Sequence, residues 1–114
     1  MDDCLFCRIV SGEIAADVVR DSERTLAFRD IAPKAPTHVL VVTKDHYSDA
    51  ADLAASDVDL AGILLADAAE VAVQEGLTDA GYRIVLNTGV AAGQTVFHVH
   101  AHVLGGRPFD WPPG

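Results

Sequence analysis

Three histidines alternate with apolar residues near the C-terminal end of the chain, in the run HVHAHVL at residues 98–104. Side chains of a β-strand point alternately to its two faces, so this spacing predicts three imidazoles on one face of a strand. Imidazole titrates near neutral pH and can act as a nucleophile, an acid, a base or a metal ligand. Packing alone poorly explains three such rings in a row, and the run therefore predicts a chemical site.

The loop before these histidines offers groups that could hold a phosphate. Residues 88–94 contain two glycines and the amide of Gln94, and the hydroxyl of Thr95 follows. In a hairpin this loop returns close to the histidine row, and Gly93 lets the backbone approach an anionic oxygen. A phosphate held there could meet His100 for nucleophilic attack. Ordinary turn chemistry is the alternative interpretation of Gly93 and Gln94.

The two cysteines form a Cys-x-x-Cys pair at Cys4 and Cys7. In a cytosolic protein such a pair indicates metal or redox chemistry more than a structural disulfide. Redox pairs usually follow a strand at the N-terminus of a helix, and no strand precedes Cys4. The pattern favours a metal, although two cysteines supply only half of a tetrahedral zinc site.

The histidines and the loop must be positioned by a small number of elements. Helical periodicity is strongest in residues 57–75, with Ser56 as the predicted N-cap, Asp59 at the capping-box position and Gly76 ending the helix. Strands before and after one long helix, without regular alternation, favour an α+β fold with an antiparallel sheet. The other predicted elements are a short helix at 5–10 and strands at 17–21, 24–29, 37–43, 81–87 and 96–104.

Composition limits the partners and the location. The chain has 114 residues, which we expect to form one domain over 1–114, and its net charge of −9 argues against binding to a nucleic-acid backbone. The longest apolar region, 58–73, contains Asp59, Asp67 and Glu70, so we expect no membrane span. The acidic N-terminus lacks an apolar signal core, and we expect a cytoplasmic protein.

The run at 98–104 is similar to the signature of the histidine triad family, His-φ-His-φ-His-φ-φ with φ apolar. Further residues resemble the Hint branch of that family and cover nearly the whole chain: Phe28, Asp30, Ile31, APTH at 35–38, Asn87, GQT at 93–95, LGGR at 104–107 and WPPG at 111–114. The resemblance implies α+β subunits, each with a five-stranded antiparallel sheet, one long helix and a short N-terminal helix. It also implies a homodimer in which the two sheets join into one of ten strands.

The resemblance implies a purine nucleoside phosphoramidase, which releases an amine from AMP. His100 would attack phosphorus and form a nucleotidyl-histidine intermediate that water then cleaves. His102 and His38 would hold phosphate oxygens, and Thr95, where the family often has Ser, would contact the leaving group and help to move its proton.

The resemblance also implies a nucleotide pocket. Asp30 would accept hydrogen bonds from the ribose, although a turn aspartate is the alternative. Trp111 lies in a tail whose family counterpart reaches the site of the partner subunit. The base would lie against Leu5, Phe6, Ile9, Phe28 and Ile31, and the phosphate site would be completed by Asn87, Gly93 and Gln94.

Some family members bind zinc through a Cys-x-x-Cys pair, a later histidine and the first histidine of the triad. The matching residues here are Cys4, Cys7, His46 and His98, which supply the four ligands of a closed structural zinc site. No organic cofactor is implied.

Three other functions stay open from the sequence. A metal-dependent hydrolase could use the alternating histidines with His38 as ligands of a catalytic zinc. A dinucleoside polyphosphate hydrolase of the same family is the nearest alternative, although residues 105–107 and 111–114 favour the Hint type. A nucleotide-binding interaction module would have no need for the nucleophile His100.

Overall fold

The computed structural model describes residues 3–114 and contains a five-stranded antiparallel sheet with the strand order β1-β2-β3-β5-β4. This architecture confirms the predicted α+β fold. The helices are α1 (Leu5–Val10), α2 (Ala50–Ser56) and α3 (Val58–Gln74), and the strands are β1 (Val18–Asp21), β2 (Thr25–Arg29), β3 (Thr37–Thr43), β4 (Tyr82–Val85) and β5 (His100–Gly105). A short 3₁₀ turn, Val90–Ala92, lies in the loop between β4 and β5.

The two faces of the sheet pack against different helices because side chains alternate along each strand. In β3, Val39 and Val41 belong to the apolar cluster that contains the buried side of α3. Leu40 and Val42 belong to a second cluster, which contains Phe6 of α1. The side of the sheet that packs against α1, called the α1 face, therefore carries the even-numbered side chains of β3 and β5.

The long helix starts one residue later than predicted and has a different cap. Asp57 is the N-cap, and its carboxylate accepts a hydrogen bond of 3.1 Å from the backbone N–H of Leu60. Ser56 instead ends α2, a helix that the sequence analysis did not predict. Gly76, with φ of +73°, follows the end of α3 as expected. Within residues 3–114, none of the helices combines the length and the apolar character needed to cross a membrane.

The last strand begins at His100, so the predicted start at residue 96 is wrong. Pairing with β3 begins where Val42 lies opposite His100. The chain before it bends away from the sheet, and the backbone N–H of Val99 donates to the carbonyl of Tyr47 over 2.7 Å. His98 lies before the strand, but its ring contacts Phe6 edge to face, so the three histidine rings still point to the α1 side, as expected. The fourth strand is also shorter than predicted, at Tyr82–Val85.

Candidate active site and metal centre

Three imidazoles gather on the α1 face of the sheet, two from β5 and one from β3. His102 lies opposite Leu40, and His38 is two residues before Leu40 on the same face of β3. The ring centroids of His38 and His102 are 5.2 Å apart, and those of His100 and His102 are 4.9 Å apart. His38 and His100 are buried, and His102 is half-buried. The sheet register thus assembles the three histidines that the resemblance assigned to catalysis.

The partner of the His100 ring determines which nitrogen carries the proton. Nδ1 of His100 lies 2.7 Å from the backbone carbonyl oxygen of His98. A carbonyl only accepts, so the proton is on Nδ1 and the neutral ring has its lone pair on Nε2. Burial lowers the pKa of His100 and outweighs the contact with His98 and the charge of Asp30, which raise it. The ring is therefore neutral near pH 7, with Nε2 in the form that a nucleophile requires.

A backbone group sets the protonation of the other two rings in the same way. The N–H of Lys34 donates to Nδ1 of His38 over 3.0 Å, so the proton of His38 is on Nε2. This Nε2–H donates to Nδ1 of His102 over 2.9 Å. The proton of His102 is therefore on its own Nε2. Burial, with the nearby His100 and His38, lowers the pKa of His102 to about 4, so the ring is a neutral donor.

Asp30 divides its two carboxylate oxygens between a turn and the histidines. Oδ1 accepts a hydrogen bond of 2.8 Å from the backbone N–H of Ala32, which is the turn contact of the alternative interpretation. Oδ2 lies 3.5 Å from Nε2 of His38. Each carboxylate oxygen can accept a further hydrogen bond, so the predicted ribose contact is compatible with this arrangement.

The side-chain amide of Gln94 bonds to backbone groups of its own loop and of Ser48. Its Oε1 accepts from the N–H of Gly89 over 2.9 Å, and its Nε2 donates to the carbonyls of Ser48 and Val96 over 2.8 and 3.1 Å. Gly93 has φ of +93°, and its own N–H donates to Val90. These bonds fix the shape of the loop that carries Thr95. The phosphate contacts expected of Gln94 and Gly93 stay a prediction.

The five residues expected at the base pocket fall into two groups. Phe6 and Phe28 are buried and pack edge to face, with centroids 5.6 Å apart, whereas Leu5 and Ile31 are exposed. Ile9 is half-buried against the same cluster as Phe6. The two phenylalanines thus belong to the core, whereas Leu5 and Ile31 are accessible from solvent.

The remaining predicted residues lie on the surface. Asn87 is half-buried and Thr95 is exposed. Thr95 and Leu5 border a cavity of about 430 Å³ beside His46. Trp111 is 85% exposed, in the C-terminal tail that lines a second cavity. The structure thus gathers Thr95 and Leu5 at one opening and places Trp111 in the tail.

The four predicted metal ligands converge on one point. Nδ1 of His98 lies 3.3 Å from Sγ of Cys4, 3.5 Å from Sγ of Cys7 and 3.2 Å from Nδ1 of His46. Sγ of Cys7 is 3.4 Å from Nδ1 of His46. In a tetrahedral zinc site with ordinary bond lengths, neighbouring donor atoms are about 3.3–3.8 Å apart. The spacing of this cluster therefore fits a tetrahedral zinc ion.

The protonation of the cluster also fits a cation. Nε2 of His98 donates to the carbonyl of Thr43 over 2.7 Å, so its Nδ1 has a lone pair directed to the cluster. Burial and the neighbouring Cys4 raise the pKa of the Cys7 thiol to about 11. A bound cation would offset both effects, because it favours the thiolate that ligates it.

Asp30, His38 and His102 form a second group whose side chains could ligate a metal. The N–H of Lys34 occupies Nδ1 of His38, so Nε2 carries a proton where a metal would need a lone pair. This contact disfavours the metal-dependent hydrolase. The sequence could not indicate it, because the N–H of Lys34 is a backbone group that every residue except proline has.

Residues 11–109 match the family model described as the HIT domain. This chain belongs to the HIT family. Members of the family are generally nucleotide hydrolases or transferases.

Relatives in this family cover almost the whole chain. A HIT family hydrolase from Legionella pneumophila is 47% identical with a TM-score of 0.94, over 98% of this chain and 100% of that structure. The 14 kDa zinc-binding protein of Zea mays is 46% identical, over 96% of this chain and 87% of the relative. A Zn-bound histidine triad protein from Mycobacterium smegmatis is 38% identical with a TM-score of 0.81, over 96% of this chain and 79% of that structure.

Proposed function

We propose that this protein hydrolyses nucleoside 5′-phosphoramidates, such as conjugates of AMP with an amine, through a nucleotidyl-histidine intermediate on His100. The observation that carries the proposal is the hydrogen bond between Nδ1–H of His100 and the carbonyl of His98, which leaves the Nε2 lone pair free. The fold of the HIT family and the neighbouring His38 and His102 support the same reaction.

The reaction is a pair of displacements at phosphorus. Nε2 of His100 forms a bond to the α-phosphorus, the P–N bond breaks, and the leaving nitrogen takes a proton and departs as an amine. Water then attacks phosphorus and releases the proton that balances the one taken by the amine, the P–Nε2 bond breaks, and AMP is released with the His100 ring restored. Dividing one difficult substitution into two is the usual gain of covalent catalysis.

Neighbouring groups in the proposed site would stabilise the charge and move the proton. The Nε2–H of His102 would donate to a phosphate oxygen, held in that tautomer by His38. The hydroxyl of Thr95 would contact the leaving group and help to move a proton to the departing nitrogen. Asp30 would accept from a ribose hydroxyl through the oxygen that faces the histidines. Asn87 would complete the phosphate site.

The test is a single-turnover assay with adenosine phosphoramidate. His100→Ala should lower turnover by about 10³-fold or more and form no covalent adduct, while it still binds AMP, because the variant loses only the nucleophile. Chelator-treated wild-type protein serves as the control and should still form the adduct. Turnover of His100→Ala near the wild-type rate would rule out the nucleophile.

The same assay separates the alternatives. Faster turnover of diadenosine tetraphosphate than of the phosphoramidate would favour the dinucleoside polyphosphate hydrolase. AMP binding without turnover of any substrate would favour a nucleotide-binding module. Activity that chelation removes, without any adduct, would favour the metal-dependent hydrolase.

Zinc at Cys4, Cys7, His46 and His98 is the second part of the proposal. The donor spacing supports it, as do the zinc-binding maize relative and the Zn-bound structure. Zinc would supply structural cross-linking, holding α1 against the segment that leads into β5, and His98 would then take no part in proton transfer.

We also propose that residues 1–114 form one domain and that the protein is cytoplasmic.

A homodimer is the third part of the proposal. β4 is an outer strand of the sheet, so its free edge could pair with a second copy and extend the sheet to ten strands. The exposed Trp111 would then reach the site of the partner subunit.

Deleting 107–114 should change the relative rates on phosphoramidates with different amines by about tenfold, with little change in the unfolding midpoint. An unchanged preference among the amines would show that the tail takes no part in leaving-group selection.

A further inference from the structure

The ring of Phe6 packs against the proposed nucleophile. Phe6 is 4% exposed, and its centroid lies 4.9 Å from that of His100 at an interplanar angle of 88°. It also meets the ring of His98 edge to face, at 5.9 Å and 69°. A residue expected to line a base pocket therefore contacts the catalytic histidine in the core.

One contact that holds the ring of His100 comes from the metal cluster, defined as Cys4, Cys7, His46 and His98, and the other comes from Phe6, which lies between two of its members. The carbonyl of His98 accepts from Nδ1 of His100, while the ring of His98 faces the cluster. Phe6 lies between the two cysteines in α1, a helix of six residues. A helix this short is not stable alone, so contacts such as those of Cys4 and Cys7 must fix its position.

We propose that Phe6 is a positioning residue for His100, and that the metal cluster maintains this contact by holding the cysteines on either side of Phe6. The ring of Phe6 limits rotation of the imidazole, so Nδ1–H stays on the carbonyl of His98 and Nε2 keeps its lone pair. Nucleophiles held in one geometry react faster than mobile ones. The inference rests on the proposed function for the reaction that it serves.

Phe6→Leu tests the inference, because it keeps an apolar side chain and removes the aromatic edge. NMR of the histidine ring nitrogens reports the tautomer of His100 without any substrate. We expect zinc-loaded wild-type protein to show one tautomer, protonated at Nδ1, and Phe6→Leu to show a mixture. Chelation of zinc from wild-type protein should produce a similar mixture, which tests the role of the cluster without a substitution.

Kinetics distinguish positioning from a role in the base pocket. With saturating adenosine phosphoramidate, formation of the nucleotidyl-histidine by Phe6→Leu should slow by about tenfold or more. The Kd for AMP should change by less than about threefold. A residue that only lines a base pocket would weaken AMP binding and leave the saturated rate unchanged, which would overturn the inference.

Leu26→Val is the matched control. Leu26 is buried in the same apolar cluster as Phe6, on β2, and we expect this variant to keep the single tautomer of His100. A single tautomer in Phe6→Leu, or in chelated wild-type protein, would contradict the inference. If wild-type protein never forms a nucleotidyl-histidine, the proposed function fails, while the NMR result still decides the role of Phe6.

Discussion

At the scale of single residues, the chemistry of the site depends on backbone partners that select tautomers. The carbonyl of His98 fixes the proton of His100 on Nδ1, and the N–H of Lys34 fixes that of His38 on Nε2. The hydrogen bond from His38 then leaves the proton of His102 on Nε2. One lone pair and one donor are thus prepared without any charge on the three rings.

The low pKa of His102 predicts a loss of stability in mild acid. Its folded pKa is about 4, below the ordinary value of 6.5, so the unfolded chain binds the proton first as the pH falls. The neutral ring of His102 makes its full contribution to the free energy of unfolding above about pH 6.5, and this contribution is lost as the pH falls through 4. For this half-buried ring, we expect a loss of about 1 kcal/mol between pH 7 and pH 5.

His102→Asn isolates this contribution, because asparagine does not titrate. The free energy of unfolding, from urea titrations at several pH values, should fall more steeply in wild-type protein than in the variant as the pH is lowered. Acid release of a metal affects both proteins and cancels in the difference. Parallel pH profiles would contradict the assignment of the low pKa to His102.

At the scale of elements, the register between β3 and β5 places the rings of His38, His100 and His102, and the packing of α3 supports that register. Val42 faces His100 and Leu40 faces His102 across the strands. On the other side of β5, Val103 belongs to the cluster that includes Leu64 of α3. The helix therefore acts on the site through the strand, not by contact with the histidines.

The close contact between Gly105 and Leu77 provides a test at this scale. A Cβ at Gly105 would lie 2.7 Å from Cδ1 and Cδ2 of Leu77, which is buried just beyond α3. Gly105→Ala should therefore lower the free energy of unfolding by about 1–3 kcal/mol. Urea unfolding measures the change.

Two further variants control this result. Gly62→Ala is the matched control, because a Cβ there meets nothing within 4 Å and Gly62 lies inside α3; it should stabilise the protein by about 0.5–1 kcal/mol. In a Leu77→Ala background, Gly105→Ala should cost much less. An equal cost in both backgrounds would show that the steric contact is not the cause.

At the scale of the whole molecule, the metal cluster joins segments that are far apart in the chain. Cys4 is the N-cap of α1 and Cys7 lies inside this helix, whereas His46 follows β3 and His98 precedes β5. A cross-link between such distant segments stabilises the folded state because the unfolded chain has no preformed site. A metal bound there would therefore connect the N-terminal helix to the strand that carries His100 and His102.

Replacement of the two cysteines tests this cross-link. The double variant Cys4→Ser, Cys7→Ser should bind no stoichiometric zinc. At zinc about 100-fold above its Kd, binding contributes about 2.7 kcal/mol, so the wild-type Tm should exceed that of the variant by about 10 °C. Metal analysis and calorimetry measure both effects.

Chelation is the control for this prediction. It should lower the Tm of wild-type protein toward that of the double variant, and it should leave the variant unchanged. A wild-type Tm that does not respond to the chelator would contradict the cross-link.

The elements that depend on residues close together in the chain could be predicted from the sequence. A run of β-branched residues predicted the strand at 37–43, helical periodicity predicted α3 to within a residue at each end, and the turn at Gly76 followed from residue type. Residue chemistry and the resemblance together supplied the histidine set and the four metal ligands. These signals are local because they rest on side-chain identity and spacing along the chain.

The directions of the site side chains and the partners of their hydrogen bonds depend on the tertiary structure. The fold places His98 before β5 with its ring beside Cys4 and Cys7, bonds the amide of Gln94 to Gly89, Ser48 and Val96, and packs Phe6 against His100. It also set the proton positions, through the carbonyl of His98 and the N–H of Lys34. The physical reason is that backbone donors and acceptors are nearly the same in every residue, so their partners are specified by the fold and leave no mark in the sequence.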